Sequence, residues 1–343
     1  MPSKLELKVI LGLANVGDRS QDSTVRYDTP EEVNAYLDAF YEQGGRQIDT
    51  ARNYSPHAPG SCEARLGTIQ AGNRFSVDTK VVSFTPGSHT RAKILESVDT
   101  SLDLLKMSTV NVEYLHVPDR TTPFEETVKA MDEAYKAGKF QQFGLSNFTA
   151  EEVEKVLKIC EEKGFVKPSV YQGQYNPVVR SGEKELFPLL RKHRIAFYAW
   201  RSALSSFTSV FTLTCVISPA AAGIFAGNHK HIKPGDRFDS SHRMGQAYTG
   251  GYLKDNIIAA VDRVIEIVTK HGINGHAAAL RWTIYHSTLQ ADQGDSVIIA
   301  ASSVTQLKSN FDFIEQGPLP EEVSKAIGKV YSEVAGSEFP YHF

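Results

Sequence analysis

Gln141-Gln142-Phe143-Gly144-Leu145, Pro168-Ser169-Val170-Tyr171-Gln172 and Ile195-Ala196-Phe197-Tyr198-Ala199-Trp200 are short apolar runs whose starts lie 27 residues apart. Between the first two runs stands Thr149–Lys163, which opens with Thr149 and Glu152, a capping box in which each side chain satisfies the other's backbone N–H. Between the second and third stands the helical stretch Glu183–Lys192. Strand, helix and two short loops fill such an interval, so the spacing predicts repeated βα units and a parallel sheet. Working outward, further strands are predicted at Val9–Leu13, Gln47–Thr50, Phe75–Val81, Val110–His116 and Ser296–Ala300, eight in all. Helices are predicted from Thr29-Pro30-Glu31-Glu32 to Gly44-Gly45, and over Thr90–Leu105 and Glu125–Ala137. Eight βα units closing on themselves make a TIM barrel. The interval from Ile195 to Ser296 is 101 residues, more than three units long. It holds a Ser/Thr/Phe tract, a polar loop and two helical patterns, Asn256–His271 and Gly275–His286. A doubly wound sheet is the competing fold. It would carry a Gly-rich phosphate turn, and neither GxGxxG nor GxxxxGK follows any strand.

The 343 residues carry 37 basic and 40 acidic side chains, a net charge of −3, with 41% hydrophobic and 22% charged residues. Binding nucleic acid or an anionic membrane surface needs clustered Lys and Arg, and this balance speaks against both. Cys62, Cys160 and Cys215 are odd in number and form no CxxC pair, which suits a reducing, cytoplasmic setting. Lys4, Glu6 and Lys8 interrupt the first apolar stretch, unlike a signal peptide. From Ser202 to His229 no charged residue occurs, but the run is too rich in Ser and Thr, with Pro219 and Gly223, to read as a membrane span. His229-Lys230-His231 lacks a third ligand at metal spacing and reads as loop. No metal site is expected.

In a TIM barrel the chemistry lies at the C-terminal strand ends. Those ends are Asp49, Lys80, His116, Ser146-Asn147, Gln172 and Trp200, with Tyr54 five residues beyond Asp49. Each ionisable residue alone has an ordinary use as a cap, a solvated charge or a core histidine. Three of them closing three consecutive strands point to chemistry. A phenol is a poor acid at neutral pH; a neighbouring ammonium favours its anion, and a carboxylate keeps the ammonium charged. Such a tyrosine can protonate a carbonyl oxygen as hydride reaches the carbon, with a neutral histidine orienting the oxygen. None of these side chains delivers hydride, so a nicotinamide cofactor is implied.

These residues resemble the aldo-keto reductases over nearly the whole chain. The likeness is carried by Asp49-Thr50-Ala51 with Tyr54, Gly60-Ser61 with Glu63 and Leu66-Gly67, Lys80, and Tyr114-Leu115-His116 with Pro118-Asp119. Gly144–Phe148 and Tyr171–Asn176 extend it. Ser218–Gly223 and Ser302–Asn310 resemble the aflatoxin-aldehyde reductase group. The resemblance implies one barrel domain over 1–343 and NADP(H)-dependent reduction of small carbonyl compounds. It makes Tyr54 the general acid, Asp49 and Lys80 its tuners, and His116 the substrate orienter, with Tyr248 beside the substrate. Ser146, Asn147 and Gln172 would hold the nicotinamide carboxamide and Trp200 would stack on the ring. Ser218, Pro219, Ala220, Gly223 and Arg237 would line the cofactor. Ser302, Gln306 and Asn310, at the start of the helix after the eighth strand, would take the adenosine phosphates, and Lys308 could add charge for a 2′-phosphate. A homodimer is left open. A regulatory, cofactor-binding member with little turnover is the first rival. An unrelated barrel hydrolase or isomerase is the second, and it would need paired carboxylates or a metal cluster that the strand ends do not show.

Two departures stand out. The family runs from the stacking aromatic directly to Ser-Pro, whereas 17 residues, Arg201 to Ile217, separate Trp200 from Ser218 here. We read that tract as a retained intron or mispredicted exon, with a genuine loop insertion as the alternative. Relatives of this group also place an Arg three residues after the tyrosine at 248, in the loop before the helix near 255; here that position is Gly251, so a carboxylate-bearing substrate loses a natural partner.

Overall fold

A computed structural model describes residues 7–200, 223–233, 238–241 and 243–343. Eight parallel strands close into a barrel in chain order. They are β1 (Lys8–Gly12), β2 (Gln47–Asp49), β3 (Ser76–Lys80), β4 (Val110–Leu115), β5 (Phe140–Ser146), β6 (Val170–Gln174), β7 (Ala196–Trp200) and β8 (Ser296–Ile299). β1 closes the ring by pairing with both β2 and β8, Leu11 facing Ile48 on one side and Lys8 facing Ser296 on the other. All eight predicted strands are present, shifted by one or two residues at their ends. The helices α1 (Pro30–Glu42), α2 (Ser61–Thr68), α3 (Arg91–Leu105), α4 (Phe124–Lys136), α5 (Ala150–Lys163) and α6 (Gly182–His193) alternate with β1 to β7. Beyond β7 come α7 (Arg243–Tyr252), α8 (Asp255–Lys270), α9 (Gly275–Tyr285), α10 (Val304–Glu315) and α11 (Glu321–Val334).

Local signals start several of these helices. Thr29 accepts from the N–H of Glu32 while the Glu32 carboxylate accepts from the N–H of Thr29, and Thr149 with Glu152 does the same on α5. Both predicted capping boxes are therefore formed. The apolar helix faces meet the outer side of the sheet in one large core, with Val33, Leu37, Val98, Val128, Val153 and Leu190 all buried there. A second apolar cluster ties α8, α9 and α11 together through residues such as Val261, Val264, Trp282, Val323, Ile327 and Val330. The extra length after β7 thus supplies a packed helical layer. Tyr248 sits within α7, not in a loop as the resemblance implied, and it is buried in this second cluster with its ring 6.1 Å from that of Phe238. The atypical tract 201–217, Ser218, Pro219, Ala220 and Arg237 lie outside the described residues.

The inside of the barrel is unusually polar. Alternation puts Gln47 and Asp49 of β2 on the same face as their register partners Ser76 and Asp78 of β3, with Lys80 two residues further on. Around Asp78 runs a chain of side-chain hydrogen bonds. Ser169 Oγ donates to Gln142 Oε1 (3.3 Å) and Gln142 Nε2 to Asn111 Oδ1 (3.3 Å). Asn111 Nδ2 and Gln47 Nε2 each donate to an Asp78 oxygen at 2.7 Å. One position in this layer has no room for a side chain: a Cβ on Gly144 would lie 2.2 Å from the ring of Tyr114. Among the described residues no helix is long and apolar enough to cross a membrane.

Candidate active site

The end of β2 and the loop behind it place the first two groups. Asp49 closes β2, and the chain then folds back so that the N–H of Gly60 reaches the carbonyl of Arg52 at 2.9 Å. Gly60 has φ of +85°, and a Cβ there would lie 2.1 Å from Arg52 Nη1, so this turn requires glycine. Arg52 in turn pairs with Glu63 of α2 at 3.2 Å, and Glu63 accepts from Thr79 Oγ1 on β3 at 2.6 Å. The loop carrying Tyr54 is thereby fastened to two neighbouring elements.

Four side chains converge at the mouth of the barrel. Lys80 Nζ donates to both oxygens of Asp49 at 2.8 and 2.7 Å, to the Thr50 carbonyl at 2.8 Å and to Tyr54 Oη at 2.9 Å. Tyr54 Oη donates to Asp49 Oδ2 at 2.9 Å, and Gln172 Nε2 reaches across from β6 to Asp49 Oδ1 at 2.8 Å. Asp49, Lys80 and Tyr54 are all buried. Removing an ammonium and a carboxylate from water costs several kcal/mol each, which good geometry and further hydrogen bonds must offset. Here both oxygens of Asp49 and all the lysine N–H groups are used.

His116, directly after β4, faces the same space. Its ring lies 6.1 Å from Tyr54 and 4.9 Å from Phe84, both edge-on. Burial holds its pKa well below the usual imidazole value, with Lys80 and then His89 adding like-charge repulsion. The imidazole is thus neutral at physiological pH, and its Nδ1 has no hydrogen-bond partner among the described residues.

Asn147, after β5, has φ of +65° and donates through Nδ2 to the His116 carbonyl at 2.9 Å and to Ser146 Oγ at 3.0 Å. Its Oδ1 is buried and has no hydrogen-bond partner among the described residues, and the same holds for Trp200 Nε1 at the end of β7. Gln172 spends one amide N–H on Asp49 Oδ1. At the other end of the proposed cofactor track, Ser303 rather than Ser302 caps α10, accepting from the N–H of Gln306 at 3.1 Å. Ser302 Oγ donates to Gln306 Oε1 at 2.9 Å. Asn310 stands mid-helix, not in the first turn, with Oδ1 3.0 Å from His276 Nε2. Spacing of four places Gln306 and Asn310 on one side of the helix, with Ser302 bonded to Gln306 from just ahead of the cap. Lys308 is 3.6 Å from Glu42 in an exposed pair. Sequence reasoning gave no role to Asp78, whose signal was a carboxylate two residues before Lys80 and so on the same strand face.

A sequence model of the Aldo/keto reductase family matches residues 8–332. This chain belongs to that family. An aldo-keto reductase of Pseudocercospora fijiensis is 35% identical, covering 89% of this chain and 99% of its own length. Aflatoxin B1 aldehyde reductase member 2 of Homo sapiens is 33% identical over 93% of this chain and 86% of its own, and its Mus musculus counterpart is 33% identical over 90% and 82%. Membership places the chain among oxidoreductases, in a family of carbonyl reductases built on the barrel described above.

Proposed function

We propose that this aldo-keto reductase reduces aldehydes or ketones to alcohols with NADPH, with Tyr54 as the proton donor. The observation that carries the reading is the hydrogen bonding of the Tyr54 hydroxyl to the Lys80 ammonium, itself held by both Asp49 oxygens. Lys80 stabilises the phenolate left behind when Tyr54 gives its proton to the carbonyl oxygen, and Asp49 keeps that ammonium in place. His116, neutral and with polar ring atoms at the same mouth, orients the carbonyl. When bound, the nicotinamide supplies the hydride. The residues fit such a group: Asn147 Oδ1 is a buried acceptor awaiting an N–H, with Ser146 beside it and Trp200 as a flat apolar wall. Gln172 fixes Asp49 through one N–H and, with Ser146 and Asn147, would hold the carboxamide. Ser302, Gln306 and Asn310 would hold the phosphates, and the exposed Lys308–Glu42 pair is weak enough to release Lys308 to a 2′-phosphate.

Turnover of 4-nitrobenzaldehyde with NADPH tests the activity. Tyr54→Phe should keep cofactor affinity and lower turnover about 10²–10⁴-fold; near-normal turnover removes Tyr54 as the acid. Fluorescence titration should find NADP(H) bound more tightly than NAD(H), and equal affinities would sink the assignment of Ser302–Asn310 and Lys308. We also propose that 1–343 is one barrel domain, cytoplasmic and acting on small carbonyl compounds, with 201–217 as foreign insertion. Deleting that tract should raise cofactor affinity and turnover together. A chain weakened in both by the deletion needs the tract, and recovery of the protein from an oxidising compartment would overturn the location.

A further inference from the structure

Beneath the Asp49–Lys80 pair lies a second carboxyl that the proposed mechanism does not use. Asp78 is the register partner of Asp49 on the neighbouring strand and stands two residues before Lys80 on the same face. It is fully buried. Both of its oxygens accept from amides, Gln47 Nε2 and Asn111 Nδ2, and no ammonium or guanidinium contacts it among the described residues. The ionisable groups facing it are Asp49 on β2, Lys80 on its own strand, Tyr114 on β4 and Tyr198 on β7.

We propose that Asp78 is a positioning residue for the proton donor: its charge, set behind Lys80, opposes the pull of the ammonium on the Tyr54 phenol. The inference rests on the reading of Tyr54 as the acid. With Asp78 neutral, Lys80 answers only to Asp49 and favours phenolate strongly. With Asp78 ionised, a second negative charge shares that ammonium, and Tyr54 keeps its proton to higher pH. Burial first, then Asp49, push the Asp78 carboxyl up to about 7, so the change of charge falls in the working range of pH. A chain that holds Tyr54 protonated under mildly alkaline conditions favours carbonyl reduction over alcohol oxidation.

The test follows the ionisation of Tyr54 directly, by NMR of chain labelled with ¹³Cζ-tyrosine, the signal being assigned by its loss in Tyr54→Phe. In Asp78→Asn the Tyr54 titration should move down by about one pH unit, as expected for removing one nearby charge in a protein interior. The alkaline limb of the pH–rate profile for reduction should move with it. Gln47→Met, which takes one donor from the carboxylate and so keeps Asp78 neutral longer, should shift Tyr54 the same way by less. An unmoved Tyr54 titration in either folded variant overturns the proposal. Labelling with ¹³Cγ-aspartate in the unaltered chain needs no variant: an aspartyl carbon should titrate near neutral pH, and if none does between about pH 5 and 9 the proposal fails. The NMR readouts need no turnover. A shifted Tyr54 in a chain that reduces no carbonyl would keep the coupling and reject the enzymatic reading; turnover with an unshifted Tyr54 would do the reverse.

Discussion

Asp49 and Asp78 stand side by side on adjacent strands, face the same barrel interior and are equally buried, yet their donors differ in charge and in number. Asp49 has the Lys80 ammonium on both oxygens, with Gln172 and Tyr54 as further donors. Among the described residues Asp78 has only neutral amides as donors. Hydrogen bonds of similar length therefore leave one carboxylate part of a fixed ion pair and the other titrating near neutrality. Hydrogen-bond length alone does not settle the charge state of a buried acid; the number of donors and their formal charge do. Glu113, facing the opposite side of β4, extends the series: neither oxygen has a partner among the described residues, and burial, then Glu63, hold its pKa well above the carboxylate range.

The comparison can be broken most forcefully at Lys80. Lys80→Met leaves Asp49 buried without its counter-charge, and urea unfolding at pH 8 should show a loss of about 3–5 kcal/mol. Adding Asp49→Asn should recover much of that loss; a double variant no more stable than the single would mean that charge is not what distinguishes the two sites. Asp78 should show itself in the pH dependence of stability. Between about pH 4, where an unfolded aspartate ionises, and pH 7, the native chain retains a proton that the unfolded chain has released. Stability contributed by this group is complete below that window and is lost as pH rises through it, by up to about 4 kcal/mol. The difference in unfolding free energy between the natural chain and Asp78→Asn, followed from pH 4.5 to 8 in small steps (about half a unit), should trace that fall; a flat difference would remove Asp78 from the comparison. The smallest effect belongs to Glu113. Replacing an unsatisfied buried acid by a side chain of similar size removes a desolvation cost, so Glu113→Leu should stabilise by about 1–3 kcal/mol. The gain should be greater at pH 8 than at pH 5, because the native glutamic acid resists ionisation. Destabilisation instead would reveal a partner for Glu113 in solution.

The strands were legible because each is a short apolar run at regular spacing, and α1 and α5 because their capping boxes are written within four residues. α2 was not: eight residues with Gly67 near the end carry little periodicity. Nor does the sequence announce α7, because Tyr248-Thr249-Gly250-Gly251-Tyr252 has weak helix propensity. Packing overrides it, since a Cβ on Gly251 would fall 1.7 Å from the ring of Phe339, so glycine there opens the surface on which Phe339 docks. At the site, Asp49, Lys80, Tyr54 and His116 announced themselves as polar ends of apolar strands. The role of Gln172 in holding Asp49 did not, because that contact joins opposite sides of the barrel, 123 residues apart. Nor did the cap at Ser303, where two adjacent serines offer the same hydroxyl and only the backbone geometry chooses between them.

The pairing of Lys8 with Ser296 has a consequence for how the molecule is made. The strand that must receive β8 leaves the ribosome 288 residues before its partner. At synthesis rates of about 5–20 residues per second, β1 waits roughly a quarter of a minute to a minute. Throughout that interval the nascent sheet is an open ribbon with two raw edges, able to recruit a strand from another chain. Helices started by their own caps can form early and shield the ribbon's faces, but they leave its edges bare. Slower elongation would lengthen the exposure of that seam.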